Sequence, residues 1–292
     1  MSAVPSTLRP APARPVPPPR WRLVLVELAA LALVLVCLAG LQIKWERLAD
    51  LPASIGLYTS LMVRGLLNNP FSEPWSGYWL VSLEFMAQSL AMAWIGTVIG
   101  AMLSFPLGFL AASNTAPRWV VIPIRQLLNA IRAVPDVIFA IVIMVPIVGL
   151  TPMSGTLALA FGSIGTLGKL TSEAIEGIQP GPVEAVRSSG AGPLQLLRWG
   201  VAPQIMPEVI AFWLYRFEVN IRAGAILGVV GAGGIGSLLS NLFGQREWDR
   251  IGIALFVIVA VTMIVDAISG AIRHRVIAGA PSRPATASGA IV

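Results

Sequence analysis

Three charges and an amide crowd the middle of one apolar stretch: Arg216, Glu218, Asn220 and Arg222 lie within residues 216–222 of the 205–230 run. A charge at bilayer depth costs at least about 2.5 kcal/mol unless it is paired or hydrated, so each needs a partner. Glu218 and Arg222 stand at the i,i+4 spacing at which side chains on a helix meet, and are expected to pair with each other. Arg216 is then left over. A guanidinium offers a planar fork of donors that matches an oxyanion, which makes Arg216 a candidate for lining an anion pathway, with Asn220 adding amide donors. Lys169 and Glu173 repeat the i,i+4 spacing within 155–177, and Glu176 lies near the end of that run; pairing along a helix accounts for them. Asp136 and Asp266 are expected near membrane interfaces, with no role.

Two glycine clusters invite a nucleotide-binding reading and fail on context. Gly231-Ala232-Gly233-Gly234-Ile235-Gly236 fits GxGxxG, but a dinucleotide site needs an amphipathic helix next and an acid about 20 residues on, whereas another apolar run follows here. Gly165-Thr166-Leu167-Gly168-Lys169-Leu170-Thr171 has the wrong glycine spacing for a phosphate-binding loop, and Leu170 stands where Ser or Thr must reach magnesium. No cofactor is expected on this chain. Cys37 and His274 are the only residues of their kinds, so an intrachain disulfide is impossible, and zinc or histidine-based catalysis has too few groups. With no recognisable nucleophile motif either, a membrane-embedded enzyme is disfavoured.

The elements that must hold these residues are apolar. Of the 292 residues 56% are hydrophobic and only 12% charged, against about 25% charged in a soluble domain. The net charge of +6 comes from scattered arginines, not a clustered basic face, which argues for a membrane orientation signal and against nucleic acid. Residues 1–20 hold seven prolines and three arginines without an acid and are read as a disordered tail. A run at 21–43 is long enough to cross the bilayer, too long for a signal-peptide core and without a clear cleavage site after it. Further runs at 80–111, 134–150, 155–177, 205–230 and 251–272 complete an all-α, polytopic membrane protein of about six transmembrane helices. Pro106 and Pro135 are expected to kink or end helices. Small residues every fourth position, Gly96, Gly100, Ser104 and Gly108, flatten one face for intrachain packing more than for a dimer seam.

Orientation follows from the loops. One side carries twelve Lys or Arg against the single acid Glu184; the other, 44–79 and 237–250, carries five against five. By the positive-inside rule both termini are cytoplasmic, in the cell membrane. The expected organisation is a cytoplasmic tail (1–20), an N-terminal transmembrane helix (21–43), an extracytoplasmic segment (44–79) that could hold an amphipathic helix, a core (80–272) and a second cytoplasmic tail (273–292).

Between the fourth and fifth runs lies Glu184-Ala185-Val186-Arg187-Ser188-Ser189-Gly190, with Gly200-Val201-Ala202-Pro203 following. Here the sequence resembles the binding-protein-dependent ABC importer permeases, type I with a MetI-like core, whose signature is EAA, three residues, Gly, nine residues, then I-x-L-P. Glu184, Gly190 and Pro203 match in spacing, while Gly200 and Ala202 replace the usual Ile and Leu. The resemblance covers about 80–272. It includes Gln88 and Ser89, where relatives often have Glu-Thr, Ile131-Arg132-Ala133-Val134-Pro135, and the Gly231–Gly236 run. Arg216-Phe217-Glu218-Val219-Asn220-Ile221-Arg222 leading into Gly228–Gly236 looks most like the phosphonate transporter permease.

The resemblance implies a type I importer permease fold and a loop at 179–204 that docks on a cytoplasmic ATPase through Glu184, Ala185, Arg187, Gly190 and Pro203. The loop is expected as two short helices meeting at a turn on Gly190. Arg132, Pro135, Gly231, Gly233, Gly234 and Gly236 become gate or packing candidates. The resemblance further implies two copies of that ATPase, which would hold ATP and magnesium, a second permease copy in a homodimer and an extracytoplasmic substrate-binding protein. The cargo it implies is phosphonate or a related phosphorus oxyanion, moved by alternating access. An ion-gradient-driven carrier for a small anion is the rival; Glu218 and Glu173 favour it, and the loop around Gly190 has no place in it.

Overall fold

A computed structural model of the protein describes residues 20–40 and 50–278. The expected tail at 1–19, the segment 41–49 and the tail beyond 278 lie outside the described residues. Among those described there are ten helices and no strand: α1 (Arg20–Gly40), α2 (Leu51–Leu67), α3 (Trp75–Ala111), α4 (Arg118–Ala133), α5 (Asp136–Val148), α6 (Pro152–Glu176), α7 (Pro180–Ser188), α8 (Pro193–Ala232), α9 (Gly234–Gln245) and α10 (Trp248–Ala278). The chain falls into two units, Met1–Leu57 and Tyr58–Val292; α3 to α10 belong to the second.

Among the described residues, three helices are long and apolar enough to cross a membrane alone, α1, α3 and α10. The bent pairs α4–α5 and α8–α9 raise that to five if each pair is one span. The one expected span that this leaves, the fourth at 155–177, is α6, whose 25 residues rise about 37 Å. Its glycines, serines and Lys169 dilute its hydropathy. Most of its residues are buried inside the protein, and a helix covered by other helices need not be as apolar as one facing lipid.

α6 is the element around which α3, α4, α5 and α8 gather. The small residues of α3 face it: a side chain at Gly96 would strike the Thr156 carbonyl, at Gly100 the Ala160 carbonyl and Ser163, and at Gly108 Thr171. The stripe is therefore an intrachain seam. α3 runs through Pro106 to Ala111 without ending there.

Two breaks shape the second unit. Pro135 keeps Val134 extended (φ −93°, ψ 122°), since a residue before proline avoids the α region, and α4 meets α5 at 85°. α4 is amphipathic, with Arg118, Arg125 and Arg132 at every seventh position and Val121 and Leu128 buried; its charges make it read as a loop. Gly231, Gly233 and Gly234 have φ of 94°, 79° and 69°, conformations open to glycine at little cost, and α9 leaves α8 there at 55°. α9 occupies residues expected to be part of a loop at 237–250, and packs Ile235, Leu238, Leu239 and Leu242 against α3, α8 and α10.

Candidate functional site

α8 turns Arg216 and Asn220, one helical turn apart, into the middle of the second unit, where they are 9% and 0% exposed. The Arg216 Nε donates to Ser163 Oγ on α6 at 3.0 Å, and Nη2 donates to Asp136 Oδ2 at 3.1 Å and Oδ1 at 3.4 Å. Asn220 Nδ2 donates to the same Ser163 Oγ at 2.9 Å and to Thr97 Oγ1 on α3 at 2.8 Å. Both hydroxyls pass their own protons back to helix carbonyls, Ser163 to Leu159 and Thr97 to Ala93, each at 2.6 Å. Four helices thus meet in one polar network.

Asp136 reaches it because Pro135 breaks the α4–α5 line and starts α5 directly over α6. Gly162 makes the room: a Cβ there would overlap the Asp136 carboxylate and come within 2.9 Å of Arg216 Nη2. Beside the ion pair lies a cavity of about 170 Å³ lined by Arg132, Pro135, Asp136, Thr166 and Arg216, among others. The gate candidates Arg132 and Pro135 and the pathway candidate Arg216 therefore share one cavity. It presents two guanidiniums, a hydroxyl and one carboxylate, a donor-rich set suited to an anion.

The expected Glu218–Arg222 pair is not formed. Glu218 accepts from Arg273 Nη2 at 2.6 Å, and Arg222 lies 3.7 Å from Asp266, so both tie α8 to α10. Nor is Arg216 left over; it takes Asp136. The i,i+4 rule describes neighbours on one helix surface, but a helix packed inside a bundle presents its charges to other helices. Asp136 and Asp266, given no role from sequence, are the partners, and the only sequence signal for them was a carboxylate inside or beside an apolar run. Lys169 and Glu173 do pair along α6, at 3.2 Å.

The glycine run forms the α8–α9 joint, not a nucleotide loop. Gln88 Oε1 accepts from the Gly234 N–H and Ser89 Oγ from the Ile235 N–H, both at 2.8 Å. The pair at the start of the resemblance thus caps α9, whose first N–H groups have no partner in their own helix. Gly236 lies against the Ala225 carbonyl with no space for a Cβ. The 165–171 cluster lies in the middle of α6, a continuous helix.

At the far end of α6 the chain enters the 179–204 loop. α7 and the start of α8 meet across Gly190, whose φ is 81°. Glu184, Ala185, Arg187, Gly190 and Pro203 are all exposed, together with Leu194 (83%) and Trp199 (63%). The substitutions at Gly200 and Ala202 do not loosen the loop. Gly200 is buried and lets α8 cross α7 closely, its missing Cβ lying 3.3 Å from Val183 Cα, while Val201 and Ile205 anchor beside Ala174, Ile175 and Val209. Gln204 fastens the crossing, accepting from the Gln179 N–H at 3.0 Å and donating to the Gly200 carbonyl at 2.7 Å. Just upstream Glu176 accepts from the Ser113 N–H at 2.7 Å and pairs with Arg125 of α4.

Comparison with known proteins bears on both the bundle and the loop. The phosphate-import permease protein PhnE of Mycolicibacterium smegmatis is 44% identical over 65% of this chain, a match that spans only 36% of that protein's length. The phosphite transport system permease protein PtxC of Stutzerimonas stutzeri is 42% identical over 68% of this chain and 72% of its own. Among solved structures, an inward-facing conformation of the MetNI methionine ABC transporter aligns at a TM-score of 0.61, with 21% identity over 70% of this chain and 99% of that one, a likeness of fold. Residues 104–278 match the family described as binding-protein-dependent transport system inner membrane component, and the chain belongs to that family: it is a multi-pass permease subunit of an ABC importer, a transport component and not an enzyme.

Proposed function

We propose that this permease carries a phosphorus oxyanion (phosphonate, phosphite or phosphate) into the cell by alternating access, driven by a separate cytoplasmic ATPase. The observation that carries the substrate class is the pairing of two facts. The relatives named for phosphate and phosphite import are 44% and 42% identical to this chain, and the centre of the bundle holds Arg216 in a cavity rich in donors. A tetrahedral oxyanion leaving a binding protein loses water as it enters; guanidinium and hydroxyl donors replace those hydrogen bonds and return them on release. Selectivity then resides mainly in an extracytoplasmic binding protein, and the permease supplies a passage of matching charge.

In the same reading the loop around Gly190 is the seat of the ATPase. Exposed Leu194 and Trp199 beside Glu184 and Arg187 offer the apolar anchors with a polar rim that a docking surface needs. Two permease copies form a homodimer with two ATPase copies, which hold ATP and magnesium, and both termini of each permease lie in the cytoplasm. ATP binding closes the ATPases, the loop transmits the movement to α6 and α8, and the cavity is presented first to one side and then to the other.

The test is copurification from native membranes of tagged wild-type chain beside Gly190→Asp, with assays of ATP hydrolysis and of labelled phosphate, phosphite and methylphosphonate uptake. Wild type is expected to bring down an ATPase and to import at least one of the three, and the variant to lose the ATPase or its coupling. A folded wild-type chain without an ATPase would overturn the loop assignment, and uptake of none of the three would overturn the substrate class.

A further inference from the structure

Arg216 is held asymmetrically. Ser163 fixes Nε from one side, and a single terminal nitrogen, Nη2, serves both Asp136 oxygens at 3.1 and 3.4 Å, short of the two-nitrogen fork in which guanidinium and carboxylate bind most strongly. Nη1 makes no hydrogen bond among the described residues. Of the pair, the carboxylate is the more open, at 21% side-chain exposure against 10%, and it stands immediately after the extended Val134–Pro135 joint. Arg132, exposed on the same cavity, forms no ion pair among the described residues. The lining charges are thus two guanidiniums against one carboxylate.

The pattern recurs further along α6. Gly162, Thr166, Lys169 and Glu173 follow at helical spacing on one face, and Lys169, about 10 Å beyond Gly162, is again a cation with its own carboxylate, Glu173 at 3.2 Å. Arg216, packed against this helix, and Lys169, on it, each carry a carboxylate whose place an incoming oxyanion can take.

Resting on the substrate class argued above, the geometry points to Asp136 as a resident counter-anion that a tetrahedral phosphorus oxyanion displaces from Arg216 in passing, with Arg132 and then Lys169 taking the next contacts along the α6 face. The incoming oxyanion offers oxygens to Arg216 and Arg132 together, which Asp136, tethered to α5, does not do. Once the oxyanion moves on, Asp136 swings back. The exchange prevents trapping: a desolvated guanidinium with no resident partner would hold a passing oxyanion instead of releasing it.

The test uses the complete transporter, permease with its ATPase, in phosphatidylcholine nanodiscs for binding and in proteoliposomes with the binding protein for uptake. Asp136→Asn keeps the shape and removes the charge. It is expected to retain labelled inorganic phosphate at least 10-fold more than wild type and to import it at least 10-fold more slowly, and adding Arg216→Gln should abolish the gain in retention. Monodisperse Asp136→Asn complex with unchanged retention overturns the proposal.

Should Asp136→Asn not assemble, Thr166→Cys on a Cys37→Ser background decides the matter. Phosphate is expected to slow its labelling by an anionic thiosulfonate at least threefold, and no slowing overturns the proposal. Slowing caused by phosphatidylglycerol in the nanodisc, without added phosphate, would assign the cavity to a lipid headgroup and equally overturn it. Wild-type uptake separates the two levels. If wild type imports a phosphorus oxyanion while these assays fail, only the counter-anion role falls; if it imports none, the substrate class falls and takes this role with it.

Discussion

The Ser163 hydroxyl accepts from Arg216 Nε and Asn220 Nδ2 while donating to the Leu159 carbonyl, so both its lone pairs and its proton are in use. Ser163→Ala strands two buried donors, one of them charged, and is expected to lower stability by about 2 kcal/mol, read as a drop in the thermal midpoint of the purified permease. Gly162→Ala strikes the same place from the other side, because its methyl overlaps the Asp136 carboxylate. Forcing that pair apart leaves a buried guanidinium uncompensated, at a cost of about 3 kcal/mol; a further loss of less than about 1 kcal/mol when Gly162→Ala is added to Asp136→Ala would locate the clash at that carboxylate. At this scale the sequence was half legible. Arg216 and Asn220 stand out as polar groups in an apolar run, but Asp136 is 80 residues from its partner and Gly162 is one glycine among many, and no local spacing rule spans that distance.

At the scale of elements, the charges on α8 tie helices together instead of pairing among themselves. A double-mutant cycle on Glu218→Gln and Arg273→Gln should give a coupling of about 1 kcal/mol, and one on Glu218→Gln with Arg222→Gln less than about 0.5 kcal/mol; the reverse order would reinstate the i,i+4 pair. The long apolar helices were readable from composition because lipid demands it of them, as in α3 and α10. α4 and α9 were not: α4 is amphipathic with three arginines, and α9 is a 12-residue helix that begins at a glycine joint and gets its N-terminal partners from Gln88 and Ser89, 146 residues away. Replacing both partners, Gln88→Ala with Ser89→Ala, leaves two α9 N–H groups open and should raise hydrogen exchange selectively at Gly234 and Ile235.

At the scale of the molecule, the arginine bias predicts one orientation. On a Cys37→Ser background, single cysteines at Ser6 and Ser282 are expected to react with a membrane-impermeant maleimide only after the cytoplasmic face is opened; labelling of either in sealed cells would invert the topology.

The small-residue seam between α3 and α6 has a mechanical consequence. Gly96, Gly100 and Gly108 bring α3 against the Thr156 and Ala160 carbonyls and the Ser163 and Thr171 side chains, and these three glycines have no rotamers with which to absorb a shift. Sliding one helix on the other would require a jump of a full turn, about 5.4 Å, so the two behave as a keel. The bends around it are the 85° joint of α4 and α5 at Val134–Pro135 and the 55° joint of α8 and α9 at Gly231–Gly234, and a rearrangement of this unit is expected to turn on them. The polar network sits where α5 meets the keel, so a displacement of α5 away from α6 and α8 would draw Asp136 from Arg216.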